Sequence, residues 1–228
     1  MSTLVICLAG PMQSWGASSR FTNRGTRTEP TKSGVLGLLA AAQGIRRSED
    51  IEHLLDLNFG VRVDQEGSLA RDFQVARSLD GTRTMPLSVR YYLADAVFVG
   101  AVEGDASLIS ALESALSRPT FPLYLGRRSC PPSRPVYLRK TTDSLRDALS
   151  STPWQASEDR RRRQANVVTL RAFVDGMPGV GSQVRDVPVS FDPRRREYSW
   201  RTVEEISIPI DNSNGRPVHD PMALLGGG

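Results

Sequence analysis

Cysteine, histidine and lysine are scarce in this 228-residue chain, and the shortage of cysteine argues against two kinds of site. Cys7 and Cys130 lie far apart and have no His or Cys neighbour at metal-ligand spacing. The sequence therefore predicts no metal site and no disulfide framework, and two buried, reduced thiols are the simpler interpretation. The glycine-rich stretches lack the phosphate-binding pattern G-x-x-x-x-G-K-S/T, so the sequence predicts no nucleotide-triphosphate site. We expect neither a cofactor nor a small-molecule substrate.

Long apolar runs and a basic leader are also missing. No stretch approaches the length of a membrane-spanning helix, and Met1 does not open a basic n-region. We therefore expect a cytoplasmic protein with no membrane partner. Its hydrophobic content of 39% and charged content of 24% are ordinary values for a folded domain.

The basic residues are almost all arginine. Lys32 and Lys140 are the only lysines among 29 basic residues, which leaves 27 arginines. A guanidinium group binds phosphate through two parallel hydrogen bonds and stacks on bases, so this excess favours a nucleic-acid partner. Genomic base composition can also favour arginine, and composition alone leaves both explanations open.

The periodicity of apolar residues predicts an α+β fold with the order β-α-β-β-α-β. This is the order of the ferredoxin-like fold, which RNA-recognition (RRM-like) domains also use. The aromatic run that such domains display on their sheet is missing, so any RNA contact is expected on loops and edges. The predicted strands are 3–9, 58–64, 92–103 and 136–138, and the predicted helices are 31–44, capped by Ser33, and 107–118.

Changes in composition divide the chain into regions. We predict a ferredoxin-like domain over 1–150 and a small β-rich region over 151–210, which opens with the arginine block 160–163. The segment 211–228 is rich in Asn, Pro and Gly and is expected to be a flexible tail. Within the first domain, Asp80-Gly81 marks the turn of a projecting β-hairpin at about 67–90.

Two neighbouring segments near the amino terminus carry candidate RNA contacts. A glycine turn after the first strand presents Gln13, Ser14 and Trp15, which could bond to or stack on an unpaired base. The alternative is that Trp15 only fills a core edge. The following loop holds several cations against the single acid Glu29, and its end coincides with a helix start, where free amides favour phosphate. These cations and the helix-start hydroxyl are Arg20, Arg24, Arg27, Lys32 and Ser33.

Two further candidates lie later in the first domain. The hairpin insertion ends at Arg90, and Met85 near its tip could wedge into a groove, although an ordinary surface hairpin is an equally good explanation. Arg127 and Arg128 lie between a glycine and a proline turn and cannot both face the core. Their neighbours Tyr124 and Ser129 favour an RNA contact there.

Residues suited to catalysis are few. His53 falls in a short predicted helix and His219 in the predicted tail, and neither has an obvious Tyr, Lys or Ser partner nearby. Four acids fall on predicted amphipathic elements without metal-site spacing: Asp143, Asp147, Glu204 and Glu205. The sequence therefore favours a binding protein with neither catalytic nor metal-ligating residues.

Five segments spread over most of the chain carry a family resemblance through their order and spacing. They are ICLAGPMQSWG (6–16), TKSGVLGLLAAAQGI (31–45), YYLADA (91–96), RPTFPLYLGRRSCP (118–131) and REYSWR (196–201). Together they resemble the Cas5 family in its type I-E form. The resemblance implies a ferredoxin-like (RAMP) core, a protruding β-hairpin thumb and a small β-rich C-terminal region.

The resemblance also implies a structural role in the multisubunit Cascade complex. Members of the family hold the 5′ handle of the CRISPR RNA (crRNA), contact the backbone subunit Cas7 and lie beside the large subunit Cas8e. Arg90 matches the family's thumb arginine. The other RNA contacts implied by matching positions are Gln13, Ser14, Trp15, Lys32, Ser33, Arg127 and Arg128.

Two other functions stay open at this point. In type I-C systems, Cas5 itself is an endoribonuclease that cuts the guide precursor with Tyr, Lys and His residues. No suitably placed His is visible here, and type I-E systems assign that cut to Cas6e. A free-standing RNA-binding protein outside any complex is the third hypothesis.

Overall fold

The computed structural model describes residues 1–16, 22–177, 179–192 and 194–216. No helix in these ranges is both long and apolar enough to cross a membrane. In chain order, the strands are β1 Ser2–Ala9, β2 Met12–Gln13, β3 Asn23–Arg24, β4 Asn58–Gln65, β5 Ser68–Gln74, β6 Ser88–Ala94, β7 Val97–Gly104, β8 Tyr137–Thr141, β9 Val167–Asp175, β10 Ser182–Ser190 and β11 Glu197–Asp211. The helices are α1 Lys32–Gln43, α2 Glu52–Leu55, α3 Ala106–Ser117, α4 Leu145–Ser151 and α5 Glu158–Arg163.

A seven-stranded antiparallel sheet, in the order β10-β11-β9-β4-β7-β1-β8, organises the fold. The chain is mixed α/β and dominated by this sheet. β1 is apolar from Leu4 to Ala9, and both of its faces are covered. Leu4 and Ile6 face the cluster that contains α1 and α3, whereas Val5 packs with α4 on the opposite face. The strand predicted at 3–9 is confirmed.

Glycine and proline end the two long helices as predicted. Thr31, rather than the predicted Ser33, caps α1 by accepting a hydrogen bond from the Gly34 amide at 3.1 Å. Gly44 closes this helix with a φ of 84°, a left-handed conformation that glycine adopts without strain. α3 ends just before Pro119, because proline disfavours helical backbone in the residue before it.

A second, smaller sheet is built around β6, which pairs with β2, β3 and β5. β5 and β6 form an antiparallel pair, and the segment between them turns at Asp80-Gly81. The single strand predicted over 92–103 is wrong: Asp95 has a φ of 58° and separates β6 from β7, which lie in different sheets. Aspartate is one of the few residues with a side chain that tolerate this conformation.

The C-terminal strands continue the main sheet. β9 pairs with β4, and β11 and β10 follow it outward. Between α4 and β9, the arginine block forms the short helix α5, which the sequence interpretation did not predict. Ser157 caps α5, while Glu158 and Asp159 pair with Arg162 and Arg163 one turn later. These pairs offset the repulsion among four adjacent arginines.

A largely buried ionic cluster joins the C-terminal strands to the start of α1. Arg201 on β11 donates hydrogen bonds to Asp186 on β10 and Asp175 on β9, both at 2.6 Å. Lys32 completes the cluster: its backbone amide donates to Asp186 and its Nζ donates to Asp175, each at 2.9 Å. Burial lowers the pKa of Arg201, but its bonds to the two carboxylates outweigh this and raise the pKa overall.

A second buried pair, Arg62 with Asp64, attaches the chain after α4 to β4. Arg62 donates to both carboxylate oxygens of Asp64, at 2.7 and 2.9 Å, and to the carbonyl of Thr152 at 2.8 Å. Trp154 donates its indole N–H to the carbonyl of Asp64 at 2.7 Å. Both charges are satisfied by several bonds, as buried charges must be.

Asp186→Ala tests whether the ionic cluster holds the C-terminal strands in place. The change leaves the buried Arg201 guanidinium with Asp175 as its remaining carboxylate, and should lower the free energy of unfolding by about 3 kcal/mol. Glu158→Ala, which breaks an exposed pair on α5, should cost less than about 1 kcal/mol. Urea unfolding of both variants measures the difference, and equal values would contradict this role.

Candidate nucleic-acid interface

An arginine cluster lies where β6 meets the loop that follows α3. Arg24 on β3 is paired in register with Arg90 on β6. Arg127 reaches the same place: its Nη2 donates to the carbonyl of Arg24 at 2.9 Å, and its guanidinium lies 4.8 Å from the ring centroid of Tyr92. We call these three arginines, with Tyr92, the β6 cluster.

Some hydrogen-bond donors of the β6 cluster have no partner among the described residues. Within the described ranges, none of its arginines forms an ion pair. Arg90 Nε and Arg127 Nη1 are buried there without any hydrogen-bond partner. Asp72, opposite Arg90 on β5, accepts instead from Gln74. Because unsatisfied buried donors are costly, an anion at this position would stabilise the cluster.

The turn at Gly126 directs its two arginines to different surfaces. Arg127 enters the β6 cluster, whereas Arg128 is exposed and lines a groove beside α1. The turn is held close to the first loop, because the Ser14 amide donates to the carbonyl of Leu125 at 3.0 Å. Ser129 is exposed beside Arg128, and its hydroxyl lies 3.8 Å from the sulfur of Cys130.

The groove beside α1, which we call the α1 groove, has a volume of about 450 Å³. Its floor is the small-residue face of α1, and half-buried aromatic rings form its sides. Arginines line it as well, and none of its lining residues is acidic. The floor includes Gly34, Gly37, Leu38 and Ala41, the aromatic sides are Phe121, Tyr124, Phe191 and Tyr198, and the arginines are Arg46, Arg47, Arg128 and Arg196.

The first loop is a structural element, and the predicted stacking face of Trp15 is not available. Trp15 and Gln13 are both completely buried, and Trp15 donates its indole N–H to Gln13 Oε1 at 3.0 Å. Gln13 in turn donates to the carbonyls of Leu8 and Ala96. Ser14 donates its hydroxyl to the carbonyl of Tyr91. The alternative, that Trp15 fills a core edge, is the arrangement found.

The start of α1 also differs from the predicted phosphate site. The carboxylates of Asp186 and Asp175 already occupy the Lys32 amide and ammonium, and Lys32 is buried. Ser33 is buried too, although it lines the α1 groove. In the preceding loop, Arg27 pairs with Glu29. Arg20 lies outside the described residues.

Three arginines that line the α1 groove were not predicted as site residues from the sequence. Arg46 and Arg47 come after Gly44 and Ile45, which follow the last residue of α1, and Arg196 lies at the turn between β10 and β11. The first two could have been suspected, because adjacent arginines after a helix-ending glycine are usually exposed. Arg196 could not, since only the return of β11 beside β10 brings it to the groove.

Few side chains suited to catalysis or metal binding lie in the described residues, and their surroundings are as follows. Both cysteines are buried and unpaired, and burial raises the pKa of each thiol, which keeps it protonated at neutral pH. His53 is exposed on α2, with its Nε2 3.3 Å from Gln43 Oε1. His219 lies outside the described residues. In those residues, no group of three or more metal-ligating side chains comes together.

Comparison with known proteins gives consistent matches. The sequence model of a family described as CRISPR-associated protein (Cas_Cas5) matches residues 3–204. The CRISPR system Cascade subunit CasD of Escherichia coli (strain K12) is 37% identical over 159 residues, which span 60% of this chain and 70% of CasD. A crystal structure of a Cas protein has a TM-score of 0.73 and 38% identity, covering 93% of this chain and 99% of that one. A chain of a CRISPR RNA-guided surveillance complex has a TM-score of 0.78 and 32% identity, with coverages of 98% and 97%.

Gly126→Ala tests the geometry of the arginine turn. Gly126 has a φ of 86°, and an added Cβ would lie 1.8 Å from the carbonyl oxygen of Ser14. Backbone strain and the collision together should lower the free energy of unfolding by about 2–5 kcal/mol. Gly81→Ala is the matched control, because Gly81 has a φ of 72° and open space around it. It should cost only about 1 kcal/mol, and similar losses in the two variants would show that the contact with Ser14 is unimportant.

Proposed function

Because this chain belongs to the Cas5 family of CRISPR-associated proteins, in its type I-E form, we propose that it is a non-catalytic RNA-binding subunit of Cascade. It holds the 5′ handle of the crRNA. The observation that carries the proposal is the β6 cluster, where Arg90 and Arg127 keep buried donors that no described group satisfies. Phosphate oxygens of a bound RNA backbone are the acceptors that such guanidinium groups bind best.

The strand order supports a ferredoxin-like core for this function. The strands β8, β1, β7 and β4 are neighbours in that order, all antiparallel. α1 connects β1 towards β4, and α3 connects β7 to β8, with both helices packed in the same cluster on one face. These are the connections of the β-α-β-β-α-β arrangement. RNA then meets the loops at the edge of the core, where the β6 cluster and the α1 groove lie.

The β5–β6 hairpin is the proposed thumb, and its two faces suit different partners. On β5, Leu69 and Phe73 are exposed on one face, together with Arg71, whose guanidinium lies 4.9 Å from the ring centroid of Phe73. Val75 and Leu79, further along the hairpin, are exposed as well. Arg90 lies on the opposite face, since Asp72 is its register partner. We assign the apolar face to contact with a neighbouring protein, Cas7, and the Arg90 face to RNA. A position beside Cas8e is also part of the proposal.

The double variant Arg90→Ala with Arg127→Ala tests the RNA contact. Removing two phosphate-binding groups should reduce the crRNA retained by the purified complex and flatten the salt dependence of retention by about one slope unit per lost contact. RNA content per complex, measured over a salt series, gives both values.

Arg162→Ala with Arg163→Ala is the control, because it removes the same charge from exposed residues that pair with acids on α5. It should retain crRNA like the unaltered protein. Equal RNA content and equal salt slopes in the two double variants would overturn the proposed role of the β6 cluster.

The endoribonuclease hypothesis is decided by a separate experiment. Purified chain is incubated with CRISPR repeat RNA, and the products are separated on a denaturing gel. The proposed function predicts intact RNA. Specific cleavage that persists through repurification, and disappears in His53→Ala, would replace it with the nuclease function.

A further inference from the structure

The arginine block of α5 has no part in the proposed RNA contacts. Resting on the proposed function, we propose that α5 and its flanking arginines bind the sugar-phosphate backbone of duplex DNA, a second nucleic acid beside the crRNA. The surface, which we call the α5 patch, consists of Arg134, Arg160, Arg161 and Arg216. Contacts of this kind hold a duplex without reading its base sequence.

The α5 patch and the β6 cluster lie on opposite faces of the main sheet. Tyr92 of the β6 cluster packs in the hydrophobic cluster that contains α1. The chain on either side of α5 packs in the cluster on the α4 face, through Trp154 and Ala156 before the helix and Leu170 after it. RNA held at the β6 cluster therefore leaves the α5 patch accessible to another nucleic acid.

Contacts from outside the helix hold α5 in place. A helix of six residues is not stable by itself. At its start, the Ser157 amide donates to Gln65 Oε1 at 3.1 Å. Near its end, the buried side chain of Asn212 donates to the carbonyls of Arg161 and Ala165, both at 2.8 Å. These bonds orient the helix before any ligand arrives, which lowers the entropic cost of binding.

Two further arginines extend the patch beyond the helix. Arg134 donates to the carbonyl of Gln155, two residues before the helix cap, at 3.3 Å. The Arg216 amide donates to the carbonyl of Gln164, the residue that ends α5, at 2.9 Å. Arginines therefore lie at both ends of α5 as well as on it.

The ion pairs within α5 leave the charge of the patch unbalanced. The two acids of α5 pair with the last two arginines of the helix, and none of the four patch arginines forms an ion pair with a described residue. The Nε atoms of Arg160 and Arg161 are buried without a hydrogen-bond partner in the described ranges. Asp211 is the one further acid in segments 155–167 and 211–216. A ligand with several anionic oxygens satisfies these donors.

The composition of α5 favours a nucleic-acid backbone over a protein partner. None of its residues is apolar, and none is buried. A protein interface places aromatic and apolar residues at its centre and charges at its rim, and α5 offers only the charges.

The same segments favour a duplex over a single strand. Proteins hold single strands by stacking bases on aromatic side chains, and neither 155–167 nor 211–216 contains an aromatic residue. A duplex has its bases stacked inside and needs only phosphate contacts. In CRISPR effector complexes the guide RNA pairs with one strand of a DNA duplex, so duplex DNA is the second nucleic acid that such a complex meets.

Binding of a DNA duplex to the assembled complex tests this inference. The duplex carries a fluorescent label and no sequence complementary to the guide, and its binding is followed by anisotropy over a salt series. Arg160→Ala with Arg161→Ala should weaken binding about tenfold in about 0.1 M salt and lower the salt slope by about two units, one for each lost phosphate contact. Arg160→Lys with Arg161→Lys keeps the charge and should keep the slope.

Arg194→Ala with Arg195→Ala is the matched control, because it removes two adjacent exposed arginines from the turn between β10 and β11. This variant should bind the duplex like the unaltered complex. If the alanine variant of α5 fails to assemble, Arg160→Gln with Arg161→Gln removes the same charge, keeps long side chains and should show the same loss.

The outcomes separate this inference from the function on which it rests. Weaker duplex binding at unchanged crRNA content, seen in the α5 variant and not in the control, supports the α5 patch. Equal affinities and slopes in the two variants overturn it but leave handle binding intact. Loss of crRNA from the α5 variant overturns it and makes the patch an RNA contact, and loss of a protein subunit overturns it and makes the patch a protein-binding surface. An unaltered complex without crRNA overturns both proposals.

Discussion

The buried carboxylate of Asp186 is the constraint on which the rest of the structure depends. It accepts from the first amide of α1 and from Arg201, and therefore fixes β10 and β11 against the start of that helix. This contact brings Phe191 and Tyr198 to the side of the α1 groove. It also places the chain's own carboxylate at the helix start, a position that favours phosphate, so this helix start serves the architecture and the proposed RNA contacts lie elsewhere.

The arginines then differ by what surrounds them. Arg62 and Arg201 are enclosed by carboxylates and carbonyls and hold elements together, because a buried charge needs several partners. Arg90 and Arg127 are partly enclosed, and each keeps a buried donor without a partner among the described residues, as Arg139, Arg160 and Arg161 also do. Under the proposed function, stability and RNA binding therefore fall to different members of one residue type, and the surplus of arginine serves both.

Local patterns predicted much of the core and less of the site. β1, the end of α1 at Gly44 and the end of α3 before Pro119 follow from apolar runs and backbone chemistry. The break at Asp95 was missed because the apolar pattern continues across it. The sequence predicts RNA contacts for Lys32 and Trp15 because it does not show their actual partners. Asp186 reaches Lys32 only through a tertiary contact, and Gln13 reaches the Trp15 indole only through the fold of the first loop. Arg196 was missed for the same reason.

Photo-crosslinking of the crRNA in the assembled complex tests the central claim most directly. A photoreactive uridine placed at successive handle positions would be activated by light, and mass spectrometry would identify the attached peptides. The account predicts attachment to β6 and to the loop at 121–129, which together carry Arg90, Tyr124, Arg127 and Arg128. Attachment confined to α3 and β8, on the opposite edge of the sheet from β10, would contradict it.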